Sequence, residues 1–402
     1  MRKRKPTDDC QCMPVQVLAA TPRGDVPLNS QAAAQLPPAG PGERSSEATL
    51  TYGSYLEAVS RFFLRDSCKQ VVSALGKRLG RPVRLAEIEG ITICAEKHGA
   101  FYHVVRVDLR VRGVVLSFGV NVATNEAAKV ALMREYRLLK RLARCCQPSF
   151  LPQVYWRGAE LCRQPGRKAQ WLHMLVVEWL SEHYEFHLHR GDLDSTARLL
   201  LWDSANGYRC LNDFQSIEIY RQAARILTLY YSWNSFKQIY PWHHAAGDFV
   251  AKFAEGERID LRLITVRDYG AVVPFKTRKV SGRLLALILF FLHLTVQMRL
   301  DRLDGVGEVV WAENVWLAGT VRGFLEAAAG WEEMGRRDIP SNRELQGLLC
   351  RFTRKEWGQL LREMLETYHF SQEELHLIRM HGDAHLESLH QELATLSSEV
   401  NS

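Results

Sequence analysis

The spacing of apolar residues changes character along this chain, and each change marks an element. Residues 1–48 carry no periodic apolar face and are rich in Pro, Gly, Ala, Ser and Gln (SQAAAQLPPAGPGERSS), so a disordered tail is expected there. From Tyr52 to Leu79 the apolar positions Leu56, Val59, Phe62, Phe63, Val71, Val72, Leu75 and Leu79 recur at helical spacing. Three stretches rich in β-branched and aromatic residues follow: ITICA (91–95), FYHVVRVDLRV (101–111) and GVVLSFGVNV (113–122). The short Gly-containing turns EKHG and RG separate them, which predicts three consecutive antiparallel strands. In EAAKVALMREYRLLKRLARC the residues Val130, Met133, Tyr136, Leu138, Leu139 and Leu142 return to the helical period. After a loop bounded by Pro148 and Pro152, LHMLVVEWL (172–180) has the continuous apolar character of a buried strand.

Beyond that point the pattern is mostly helical. Helices are predicted over 216–236, 281–300, 321–334, 343–368 and 370–396, the last opened by a Ser371/Glu374 capping box. The run LLALILFFLHLTV (284–296) is too short to span a bilayer and has His293 inside it, so it is expected to be a buried core helix and not a transmembrane segment. The fold class is α+β. Its parts are a disordered tail (1–48), a leading helix with a β-rich unit (49–180) and a helical unit (181–402).

Composition adds little that is specific. With 402 residues and 47% hydrophobic content the chain can bury a large core in two units. A net charge of +7 permits anionic ligands without demanding nucleic acid, and the ten tryptophans interleave with no basic stripe, so no nucleic-acid partner is expected. The basic opening MRKRKPTDD is not followed by an apolar run, unlike a secretory signal. Nine irregularly spaced cysteines lack zinc-ligand pairs and are expected to be reduced, mostly buried thiols of a cytoplasmic protein.

Candidate chemistry concentrates in WHHAAGDFVAKFAEGERIDLRLITVRDYG (242–270). Asp248 and Asp268 flank a strand-like run, and two loop aspartates so placed can share a site. One would take a proton from a hydroxyl and the other would hold magnesium, as phosphoryl transfer requires. The wider order is a strand, a Gly-containing turn, two strands, a helix with a central Glu and a strand leading to a linker. A long helix, a His-x-x-Gly-Asp loop, a strand and Asp-Tyr-Gly follow. Over about residues 85–310 this order resembles the protein-kinase-like superfamily, in particular its aminoglycoside and choline phosphotransferase branch.

The resemblance implies a bilobal fold, with a small antiparallel β-sheet N-lobe carrying one helix and a larger, mostly helical C-lobe. It also implies ATP and Mg as cofactors and a small-molecule or cell-envelope sugar acceptor. Asp248 would be the catalytic aspartate and Asp268 the metal ligand. Glu135 would be the helix glutamate that pairs with a strand lysine, and Glu178 to Leu180 the linker facing the adenine. Lys97, with His98 and Gly99, would form the turn over the phosphates. His243 and His244 would be structural. Three positions depart from the family pattern. VVLSFGVNV carries no lysine and leaves Arg106 as the nearest cation, Phe253 stands where the metal-binding asparagine belongs, and EKHG has one glycine. Each departure removes charge stabilisation from a reaction that depends on it. The alternative is therefore a catalytically inactive pseudokinase that binds a nucleotide or a protein partner.

Two further motifs compete with these. RMHGDAHLESL (379–389) repeats the His-Gly-Asp letters with His381, Asp383 and His385, yet it sits in a helical pattern and no strand with a metal aspartate can follow it. Its alternatives are an exposed helix face or a histidine pair at i, i+4 holding a structural metal. RLDRLDGVGE (299–308) groups Asp301, Asp304 and Glu308, either as a patch for a cationic acceptor or as a solvated helix C-terminus ended by Gly305.

Overall fold

The computed structural model describes residues 13–21, 24–35, 50–98, 102–164, 166, 168–191, 197–203, 206–245, 247–254, 258–277, 279–333 and 339–401. The chain divides into two compact units, Met1–Lys140 with Pro152–Ser181 and Arg141–Leu151 with Glu182–Ser402.

The first unit contains β1 (Val15–Thr21), β2 (Gly24–Pro27), α1 (Ser30–Ala33), α2 (Tyr52–Leu64), α3 (Lys69–Leu79), β3 (Ile88–His98), β4 (His103–Val111), β5 (Val114–Ala123), α4 (Glu126–Leu142), β6 (Val154–Cys162) and β7 (Gln170–Glu178). Its strands form a seven-stranded sheet in the order β2-β1-β3-β4-β5-β7-β6. The three strands expected at 91–122 are present and antiparallel. Along β4 the residues His103, Val105, Val107, Leu109 and Val111 are buried, the period-2 pattern of a strand with one covered face. The apolar stripe of α2, with Tyr55, Leu56, Val59, Phe62 and Phe63, packs into the same core. Thr51 starts α2 by accepting the Ser54 N–H at 3.3 Å.

Two expectations change here. The described part of 1–48 is not disordered: β1 pairs in parallel with β3, Val15 opposite Ile91 through Ala19 opposite Ala95, and β2 returns antiparallel on β1. Strand β6, pairing with β7, was not predicted at all, because its residues VYWRGAELC alternate poorly between buried and exposed.

The second unit contains β8 (Phe186–His189), β9 (Arg198–Asp203), β10 (Gly207–Cys210), α5 (Asp213–Leu229), β11 (Lys237–Ile239), β12 (Phe249–Phe253), β13 (Ile259–Leu263), β14 (Tyr269–Ala271), α6 (Val280–Gln297), β15 (Leu300–Arg302), β16 (Val309–Trp311), α7 (Leu317–Glu333), α8 (Asn342–Leu349), α9 (Arg354–Thr367) and α10 (Gln372–Asn401). Helix α6 is long and apolar enough to cross a membrane by length and composition, but it is mostly buried and serves as a core helix. Its run from Ala286 to Gln297 is buried throughout and mostly apolar, as a helix enclosed on every side requires, with His293, Thr295 and Gln297 its polar members. The single helix predicted over 343–368 is two, because Thr353 and Glu356 form a capping box that starts α9 afresh.

Candidate functional site

The loop of interest is suspended between two hairpin-like pairings of the second unit. Strand β11 pairs with β14, and β12 pairs with β13 with Phe249 opposite Leu263. These pairings bring residues 264–268 back beside the loop that ends at Asp248, and the Ile264 N–H donates to the Asp248 carbonyl at 2.9 Å. The contact with the Asp248 side chain comes from Arg267, whose Nη2 donates to Oδ1 at 2.6 Å. The His243 backbone N–H donates to Oδ2 at 2.8 Å. Asp248 is 2% exposed. Burial pushes its carboxyl up to about 6, Arg267 and the His243 N–H oppose the rise, and the nearby Glu185 carboxylate adds to it. Gly247 takes φ +86° in the turn before it, a left-handed backbone that favours glycine.

A second buried aspartate completes the arrangement; in the sequence it was grouped with Asp304 and Glu308 as an acidic patch or a solvated helix end, not placed with Asp248. Asp301, on β15, accepts the Ala245 N–H at 2.7 Å and the Arg302 N–H at 2.8 Å. It thereby fastens the loop from the opposite side. His244 Nδ1 lies 3.3 Å from Asp301 Oδ2 but is not aligned for a hydrogen bond, while its Nε2 shares one of 2.9 Å with Tyr220 Oη of α5. Burial lifts the Asp301 carboxyl to about 7; its two N–H donors oppose this and the Asp248 charge reinforces it. Burial lowers His243 to about 4 and His244 to about 3, so both imidazoles are neutral.

The other expected residues fare unevenly. Asp268 is exposed, and its Oδ1 accepts the adjacent Tyr269 N–H at 2.8 Å. Among the described residues no group of three or more His, Cys, Asp or Glu is set to hold a metal ion. Phe253 lies under the Arg209 guanidinium at 4.4 Å. In the first unit, taken by itself, Glu135 of α4 is buried and faces the Tyr102 hydroxyl, whose pKa burial raises and the Glu135 carboxylate raises further. Arg106 is engaged by Glu96 at 2.7 Å, by Asp108 at 3.1 Å and by Asp25. Glu178 ends β7, and its Oε2 accepts the Gln153 N–H at 3.2 Å; Leu180 is half-buried beyond it. Lys97 and His98 close β3; their side chains, and Gly99, lie outside the described residues.

The motif with His381, Asp383 and His385 is no loop: it lies within α10. Nor is it wholly an exposed face, since His385 is buried against Thr295 at 3.2 Å and His381 stacks on Trp311 at 5.4 Å. The 299–308 stretch is the β15–β16 hairpin, not a helix end. Asp304 lies 2.9 Å from His189 and Glu308 3.1 Å from Arg190, while Asp301 is buried against backbone N–H groups, so the three do not form one exposed acidic patch. Cys68 is disulfide-bonded, which corrects the expectation of reduced thiols throughout, whereas Cys94, Cys145, Cys146, Cys162, Cys210 and Cys350 are free.

Comparison with known proteins finds no family model that matches the chain and no curated protein that matches it.

Proposed function

We propose that the chain is a protein-kinase-like α+β protein that does not transfer phosphoryl groups and serves as a nucleotide- or protein-binding module. The observation that carries this is the state of Asp248. Both of its oxygens are engaged, one by Arg267 and one by the His243 N–H, and the side chain is closed off from solvent. A general base must reach the hydroxyl it deprotonates, and a carboxylate already holding a guanidinium is poorly placed to do so. Two facts of the first unit, taken by itself, support the same reading. Glu135 faces Tyr102 where a strand lysine belongs, and Arg106 is spent on three carboxylates. The order of strands, helix, loop and Asp-Tyr-Gly supports the kinase-like fold.

One observation favours the other reading, an ATP- and Mg-dependent phosphotransferase acting on a small molecule or sugar. Burial holds the Asp248 carboxyl near 6, within the range suited to a base working at neutral pH. Thermal melting with ATP, with and without magnesium, separates the two. The binding module predicts an ATP-induced rise that magnesium does not alter, and no ADP formed with any acceptor. A rise that requires magnesium, with turnover abolished in Asp248→Asn, would establish the enzyme. No rise with millimolar ATP would remove the nucleotide and leave the protein-binding module.

A further inference from the structure

A cavity of about 340 Å³ lies in the second unit where α5 ends, large enough for a small organic molecule. Four aromatic side chains line it: Tyr230, Tyr231, Trp233 and Tyr269. Hydrogen bonds fix two of these walls. The Tyr269 hydroxyl donates to the Tyr230 carbonyl at 3.0 Å, and the Tyr230 hydroxyl accepts the Phe150 N–H at 3.4 Å. One charged side chain joins them, Arg141, in the last turn of α4. Its guanidinium lies over the Tyr269 ring, 5.5 Å from the centroid. Among the described residues that line the cavity there is no Asp or Glu to neutralise it. The carbonyls at the end of α5 would repel an anion, but that of Tyr230 is taken by the Tyr269 hydroxyl and that of Leu229 by Cys146 Sγ at 4.0 Å. Cys145, an exposed free thiol, lines the same cavity.

We propose that this cavity is a binding site for a small organic anion, a carboxylate or phosphate carried on a planar apolar body. Arg141 takes the anionic group, because its planar fork donates two parallel N–H bonds to either one. Its place over the Tyr269 ring already restricts the side chain, so little freedom is lost when the anion binds. The aromatic walls take the body, by stacking on it and by removing its apolar surface from water. A neutral ligand leaves the guanidinium unmatched, and a cation meets it with like charge. The assignment uses only the cavity and its side chains, so it does not rest on the proposed function.

Cys145 reports on the site. In the full chain, alkylation of each cysteine by iodoacetate and by iodoacetamide is followed by mass spectrometry, with the exposed free thiol of Cys210 as the reference. The ratio of the iodoacetate rate to the iodoacetamide rate should be about fivefold higher at Cys145 than at Cys210, and Arg141→Gln should bring the two ratios together. A surface arginine steers iodoacetate without any cavity, so a second arm measures protection. At equal concentrations, benzoate or phenyl phosphate should slow iodoacetamide alkylation of Cys145 about threefold, while acetate and benzamide leave it unchanged and Cys210 is unaffected throughout. Protection by benzoate alone assigns a carboxylate, and protection by phenyl phosphate alone a phosphate. Equal ratios at the two cysteines would overturn the proposal. So would protection by acetate as strong as by benzoate, protection that survives in Arg141→Gln, or no protection by either aromatic anion.

Discussion

The Asp248–Arg267 pair makes the loop's dependence on single side chains measurable. Replacing Arg267 with Met strands a buried carboxylate and should cost about 3 kcal/mol in urea unfolding. Asp248→Asn keeps the acceptor for the His243 N–H and should cost less, about 1–2 kcal/mol. A double-mutant cycle should return a coupling of about 1–3 kcal/mol, and a coupling near zero would show that the contact is geometric only. Asp248 was legible in the sequence because a histidine pair and a glycine precede it in a recognisable order. Asp301 was not, because LDRLDGVGE reads as alternating charge and the burial of its first aspartate comes from a three-residue strand too short to leave a periodic trace. Arg267 was passed over for Asp268, its neighbour, since nothing in a linear motif says which of two adjacent side chains turns toward the loop.

Among elements, α5 against α7 is the contact with the narrowest tolerance. The glycines of Gly-Thr-Val-Arg-Gly face the backbone of α5, where a Cβ at Gly319 would overlap the Ile217 carbonyl oxygen and one at Gly323 the Arg221 carbonyl oxygen. Backbone cannot step aside as a flexible side chain can. Gly323→Ala should therefore force the helices apart and cost about 3 kcal/mol, whereas Gly347→Ala, with open space at its Cβ in α8, should be neutral or slightly stabilising. A comparison of urea midpoints decides it, and equal effects at the two positions would refute the close approach. Strands β3, β4 and β5 were legible because they are rich in β-branched and aromatic residues between short Gly-containing turns, and along β4 the buried positions also alternate. Strand β6 was not, and the break between α8 and α9 was missed although Thr353-Arg-Lys-Glu356 carries its capping signal, because apolar spacing on either side happened to stay in phase.

At the scale of the whole molecule, buried titratable groups set the response to pH. Burial holds His243 near 4 and His244, His293 and His385 near 3, well below the ordinary 6.5. An unfolded chain takes up these protons below about 6.5 while the folded one refuses them, so their contribution to stability is present above 6.5 and lost as pH falls toward 3–4. Asp248 and Asp301, raised to about 6 and 7, act in the opposite sense: their contribution is present below 3.8 and lost as pH rises through 6–7. Four histidines outweigh two aspartates between pH 4 and 6, so acid should destabilise the protein. His293, stacked 3.7 Å from Tyr368 with neither ring nitrogen hydrogen-bonded, is a clean probe. His293→Phe should reduce the loss in urea midpoint between pH 7 and pH 5, and an unchanged loss would show that this imidazole does not sense acid. The division into two units was visible in outline from the change of period near residue 181, but the return of 141–151 to the second unit was not, since it depends on partners such as Tyr230 that lie far along the chain. The parallel pairing of β1 with β3 has a practical meaning as well. Trimming the chain at residue 50, where composition suggests a dispensable leader, would not shorten a tail but unzip a sheet, baring the edge of an eleven-residue strand to any neighbour able to pair with it.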